Sequence, residues 1–347
     1  MKKGSKILSV LGLMLMSTLS ISCNENISKD KNHEIKIGIT LYRQDDAFIS
    51  NISANLEEIV KKNEDNFEEK ISLEFVDAKA SIINQGNQVD KFIKQDYDII
   101  CVNLVDRTAA ATIIDKAKAA DIPLIFFNRE PVEEDMNRWS KVYYVGAQAE
   151  QSARLQADIV AEEWISNIEY YDKNKDGKIQ YVMIEGEQGH QDTLIRTEYC
   201  IKSLNERGIQ LEKLADDTAN WQSDQANNKM TQWIREFGDE IEVVFSNNDV
   251  MALGAIYSIN SNSNLIRKPI VVGVDGIKEA MESIKLGDMT GTVISDANAQ
   301  AQAIFDIAIN LAKGTSLENI KDLEKGKYIK LPHTKVTIDN VNEFLSE

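Results

Sequence analysis

The chain has 347 residues, enough for two domains of ~150 residues each, and its 43% hydrophobic content is that of a globular protein. Its net charge is −17 at pH 7, and removing residues 1–22 takes away Lys2, Lys3 and Lys6 but no acid, leaving −20. A surface of that sign repels nucleic acid and anionic lipid, so a nucleic-acid-binding role is excluded.

In chain order, three lysines precede an almost wholly apolar run, Ile7–Ile21, that ends in LSISC. At ~15 residues it falls short of the ~20 that cross a bilayer. The pattern predicts a secretory signal peptide over residues 1–22. The cysteine at the cut resembles a bacterial lipoprotein signal, with Cys23 as the lipidated first residue of the mature chain. Ser20 stands where Leu is usual, and a freely secreted protein is the alternative. Residues 23–34 then read as a polar tether behind the anchor.

From there strands and helices alternate. Ile35–Tyr42 reads as a buried strand, then DDAF and a helix from Ile49 to Asn63. Strands follow at Ile71–Asp77, Asp98–Leu104, Ile122–Phe127 and Val142–Val145, with helices at Gln88–Ile93 and Ala109–Ala119 between them. The pattern then restarts. Helices are expected at Ser152–Trp164, Asp192–Arg207, Ser223–Phe237, Met251–Ile259 and Ala297–Ala312. Strands are expected at Ile179–Glu185, Leu211–Leu214, Ile241–Ser246, Ile270–Val274 and Thr290–Ile294. Short apolar runs alternating with helices imply parallel strands with crossover helices. The fold class is therefore α/β, with two doubly wound, Rossmann-like parallel-sheet domains. Cys101 and Cys200 read as small buried hydrophobes rather than a disulfide pair.

The stretch Asp172–Gln180, DKNKDGKIQ, has the first three-quarters of an EF-hand calcium loop. Oxygen ligands fall at Asp172, Asn174 and Asp176, Gly177 makes the sharp turn, Lys178 offers a carbonyl and Gln180 another side-chain oxygen. The closing bidentate Glu is missing, since Glu185 lies two positions too late. Either a distant carboxylate completes the shell or the stretch is a polar turn.

In doubly wound sheets ligands bind beyond the carboxyl ends of the strands. Those ends carry Asp46 and Phe48, Asn128, His190 with Asp192 and Arg196, Trp221, Asn248 and Asp275. Each has a plainer reading. Asp46, Asn248 and Asp275 could be helix caps, His190 a surface residue and Trp221 core. Together they suit a sugar. Carboxylates, amides, a guanidinium and an imidazole can pair hydroxyls, while flat rings cover the C–H faces. Buried charge-assisted hydrogen bonds are worth ~1.5–3 kcal/mol each, so four or five of them, less the ordering cost, give micromolar or tighter binding at ~8 kcal/mol or more.

The strings DDAF, FFNREP, YYVG, DKNKDGKIQ, GHQDTLIR, DTANW, EVVFSNND, VGVD and GTVISDANAQA occur in that order from residue 35 onward. Their combination resembles the galactose/glucose-binding proteins of bacterial ABC uptake systems. The resemblance implies a type I periplasmic-binding-protein fold joined by a three-segment hinge. Residues 35–146 and 296–330 would form one lobe, 147–295 and 331–347 the other. Phe48 and Trp221 would stack on the sugar faces. Asp46, Asn128, His190, Asp192, Arg196, Asn248 and Asp275 would bond its hydroxyls and ring oxygen. Ser295 stands where the family has Asn, which puts one contact and the choice of sugar in question. Glu242 would complete a structural Ca2+ site with Asp172, Asn174, Asp176, the Lys178 carbonyl and Gln180.

The implied function is capture of D-galactose or D-glucose for an ABC permease from a monomer in the periplasm or cell envelope. It would be anchored through Cys23, and a chemoreceptor could be a further partner. A different monosaccharide, such as a pentose or methylgalactoside, is the alternative. A sugar-acting enzyme would use Asp46 and Asp192 as a carboxylate pair, but no feature marks either as a poised acid.

Overall fold

A computed structural model describes residues 34–63, 70–262 and 265–345. The expected signal peptide, Cys23 and the tether up to residue 33 lie outside the described residues.

Two six-stranded sheets organise the chain. β1 (Ile35–Leu41), β2 (Ile71–Asp77), β3 (Ile99–Val102), β4 (Leu124–Phe127), β5 (Val142–Ala147) and β11 (Tyr328–Leu331) form the first. Its order is β11-β5-β4-β3-β1-β2, with every neighbouring pair parallel. The second is made of β6 (Lys178–Glu185), β7 (Gln210–Thr218), β8 (Val243–Ser246), β9 (Ile270–Val272), β10 (Gly291–Ser295) and β12 (His333–Thr337). Its order, β12-β10-β9-β8-β6-β7, repeats the first, except that β12 runs antiparallel to β10. The predicted α/β class with two doubly wound sheets is thus the observed one.

The sequence pattern explains the layering. β3 (IICV), β4 (LIFF) and β8 (VVFS) are buried at every residue, as inner strands covered on both faces must be. Helix α1 (Ala47–Asn63) buries Phe48, Ile49, Ile52, Leu56 and Ile59, one stripe at helical spacing. It packs on α11 (Ala297–Lys313), which buries Ala301, Ile304, Phe305 and Ala308.

The chain passes between the lobes three times. After β5, α5 (Ala149–Ser166) packs on α7 (Gln191–Glu206) and β12. After β10, α11 returns to α1. After β11, only Pro332 separates the first sheet from β12 in the second.

Several boundaries differ from those expected. β7 runs to Thr218 rather than stopping at Leu214, because Leu214 is the extra residue of a bulge in β7, left unpaired between Lys213 opposite Tyr181 and Ala215 opposite Val182, and pairing then resumes. α2 (Ile82–Lys94) begins six residues before Gln88, where Ser81 accepts a capping bond from Asn84 N at 3.2 Å. Its first residues, Ile82 and Ile83, are exposed, so they add no amphipathic signal. β11 and β12 fall in a stretch for which no strand was expected, since both are short and carry lysines. Cys101 and Cys200 are buried and unpaired, one in each lobe. Among the described residues no helix is long and apolar enough to cross a membrane.

Candidate ligand-binding site

The carboxyl ends of the two sheets face each other across a cavity. Asp46, Phe48, Asn128, His190, Asp192, Arg196, Trp221, Asn248, Asp275 and Ser295 all line it, together with Tyr42, Ile49, Arg129, Ala147 and Gln300.

Local structure decides which atoms face inward. Asp46 does cap α1, accepting Ile49 N at 3.0 Å, and its other oxygen accepts the Tyr42 hydroxyl. Asn248 caps α9 (Asp249–Asn260) through its Oδ1, 3.0 Å from Met251 N. The Asn128 Oδ1 accepts from Asn103 at 3.1 Å. Both amides therefore keep their NH2 groups for the cavity. Capping and lining are one role here, because the cap bond fixes the side chain that faces the space.

His190 caps α7, with Asp192 N donating to its Nδ1 at 3.1 Å. Burial and the neighbouring Arg129, Arg196 and Arg107 hold its pKa well below 6.5. The ring is neutral, and since Nδ1 accepts, Nε2 carries the proton and is a donor. Arg196 is held at three nitrogens, by Ser152 Oγ (3.2 Å), Asn247 O (2.8 Å) and Asp192 Oδ2 (3.0 Å). Burial raises the Asp192 pKa against the pull of Arg196. Burial raises that of Asp275 further, again opposed by Arg196. The lining thus mixes acceptors and donors in fixed positions.

Three lining residues hold left-handed backbone, Asn128 (φ 60°), Trp221 (φ 62°) and Asp275 (φ 119°). Such conformations are strained for side chains of this size and cluster at functional sites. The Trp221 indole lies over Gly186, where an added Cβ would sit 2.0 Å from the ring. His190 meets it edge-on at 5.1 Å. Asp275 caps nothing. The N–H groups of Gly276 and Ile277 go instead to Asp249 Oδ2, at 2.7 and 3.0 Å. Asp249 is wholly buried, and burial pushes its pKa to about 7.

Sequence reasoning missed Asp249, which positions Asp275, and five lining residues, Tyr42, Ile49, Arg129, Ala147 and Gln300. Arg129 bridges the lobes. Its Nη2 lies 2.6 Å from Glu187 Oε2, Nη1 donates to Val105 O at 2.8 Å, and the guanidinium covers the Tyr42 ring at 3.7 Å. The one signal for it was its place beside Asn128 at a strand end.

The family described as periplasmic binding protein domain matches residues 37–316. The chain belongs to this periplasmic binding protein family. It is 37% identical to the D-galactose/methyl-galactoside binding periplasmic protein of Haemophilus influenzae, over 89% of this chain and 92% of that one. It is 23% identical to the ribose import binding protein of Bacillus subtilis, over 92% and 96%. A solved ABC transporter solute binding protein from Bacillus halodurans, with bound myo-inositol, superposes with TM-score 0.76 at 28% identity, covering 92% of this chain and 99% of that one.

This periplasmic binding protein presents the Asp172–Gln180 loop at the start of β6, away from the cavity. Lys175 (φ 61°) and Gly177 (φ 74°) make its turns. Asp172 accepts from Asp176 N and Gly177 N, both at 3.1 Å, Asn174 from Asp176 N at 2.9 Å, and Asp176 from Lys178 N at 2.8 Å. The buried Glu242 carboxylate accepts from Lys173 N (2.8 Å) and Gln180 N (2.9 Å). Burial raises its pKa to about 7 despite those bonds, and Asp172 adds to the rise. Among the described residues no cluster of three or more His, Cys, Asp or Glu is gathered for a metal. The groups at this loop are three carboxylates, two amides and a carbonyl. Gln180 Oε1 is buried without a partner. An all-oxygen set with a spare buried acceptor fits a hard cation.

Proposed function

We propose that this protein is the sugar receptor of a bacterial ABC uptake system, working in the periplasm. D-galactose or D-glucose would occupy the interlobe cavity and be delivered to the membrane permease. The observation that carries the reading is the cavity itself. Phe48 comes from one lobe and Trp221 from the other, with carboxylates, amides, Arg196 and a neutral His190 set around them. That is the complement of a pyranose, apolar on its faces and hydroxylated at its rim. The relative named for D-galactose and methyl-galactoside supports the choice. Relatives are named as binding proteins rather than enzymes, which supports capture without turnover.

On this reading the lobes shut on the sugar, and the Arg129–Glu187 pair helps hold them together. Calcium held by Asp172, Asn174, Asp176, the Lys178 carbonyl, Gln180 and Glu242 would tie the loop to β8 and stabilise the second lobe. Lipidation at Cys23 would keep a monomeric receptor at the membrane, and the closed form could also engage a chemoreceptor.

Calorimetric titration of the mature protein with a panel of hexoses, methylgalactosides and pentoses tests the reading. Micromolar or tighter binding of galactose or glucose is expected. Preference for a pentose would move the protein to the alternative sugar class, and no binding across the panel would refute the receptor role.

A further inference from the structure

Ser295 ends β10 and Gln300 lies in the first turn of α11, on opposite sides of the second crossing. Both line the cavity and both are buried, Gln300 at 1% exposure. The Gln300 Nε2 donates to Ser295 Oγ at 3.1 Å. That bond orients the carboxamide. Its Oε1 is left buried with no hydrogen-bond partner. Among the described residues lining the cavity, it is the one buried side-chain acceptor left unpaired. The other orphan of the lining is Arg129 Nε, a donor whose guanidinium is already held at both Nη atoms.

An unpaired buried acceptor is costly, and native structures seldom leave one without a purpose. Ser295 is too short to carry an amide into the space itself. Its hydroxyl is engaged in steering the longer side chain behind it. A ligand hydroxyl would supply the donor that Gln300 Oε1 lacks.

We infer that Gln300 is a sugar-contacting, specificity-determining residue of this cavity, its Oε1 accepting from one hydroxyl of the bound monosaccharide. Ser295 acts through it as a positioning residue. The inference rests on the sugar-receptor reading and adds a contact to it.

The test is a coupling experiment. Wild type, Gln300→Leu and, as a second variant of similar length, Gln300→Met are titrated with D-galactose and with its singly deoxygenated analogues. Gln300→Leu should weaken galactose about tenfold, the scale of one buried hydrogen bond. The penalty for removing one particular hydroxyl should vanish in both variants, while the penalties at the other positions persist. A purely structural role would weaken every sugar alike, and that uniform result, or wild-type affinity, overturns the inference. If wild type itself binds none of these sugars, the receptor reading falls and this contact falls with it. Binding by wild type with unaltered behaviour of the variants removes Gln300 alone.

Discussion

His333 gives the pH dependence of stability a specific source. It opens β12 just after the third crossing and is 7% exposed. Its Nδ1 lies 3.0 Å from the Ile294 carbonyl, so Nδ1 carries the proton of the neutral ring. Nε2 is buried without a partner. Burial, then the charge of Arg196, lowers the pKa from 6.5 to about 4, against the bond to Ile294. The folded value is the lower one, so the unfolded chain binds more protons between pH 6.5 and 4. The stability that depends on a neutral ring is therefore present above pH 6.5 and drains away as pH falls toward 4. At about 1.4 kcal/mol per pH unit, that gap corresponds to roughly 3 kcal/mol.

Asp249 acts in the opposite sense. Its folded pKa of about 7 lies above the 3.8 of an ordinary aspartate, so its contribution is present at low pH and is lost as pH rises through 7. The wild-type profile alone blends the two. Urea unfolding of wild type and His333→Asn at a series of pH values separates them. The wild-type advantage over the variant should shrink by roughly 2–3 kcal/mol between pH 7 and pH 4. Parallel profiles for the two proteins would show that the ring does not titrate as argued.

Three further outcomes are expected. Trp221→Ala should weaken sugar binding at least about tenfold by calorimetry, since it removes one stacking face; unchanged affinity would count against stacking. Chelation of calcium should lower the melting temperature while sugar binding persists, and an unshifted melt with no metal in elemental analysis removes the ion from the account. Cys23→Ser should move the protein from the membrane fraction to the soluble one, and continued membrane association would end the lipid-anchor proposal.

Most of the architecture was legible because inner parallel strands write themselves as short apolar runs. IICV, LIFF and VVFS need no partner in sequence to be read. The cavity was legible for a related reason, because in this topology the polar residue after each such run must face the opposite lobe. Asp46 and Asn248 show where the reasoning blurred, since a cap and a ligand-facing group use the same residue types. What escaped was non-local. Leu214 looks like a strand end because it is a bulged residue, and only the register with β6 shows that pairing resumes beyond it. Tyr328–Leu331 and His333–Thr337 become strands only through the sheets they join. Gln300 reads as an ordinary helix residue, and only the fold places it beside Ser295. Asp249 looks like a surface acid at a helix start, yet it is the buried group that shapes the Asp275 turn.

Three is an odd number, and that has a mechanical result. Glu34 leads into β1 of the first sheet, while the closing helix Val341–Leu345 sits against Lys278–Leu286 in the second. A leash fastened ahead of residue 34 therefore grips one jaw only. The other jaw, carrying Trp221 and the Asp172–Gln180 loop, has no attachment to that end of the chain, so on the proposed anchoring a surface tether would leave opening and shutting unhindered.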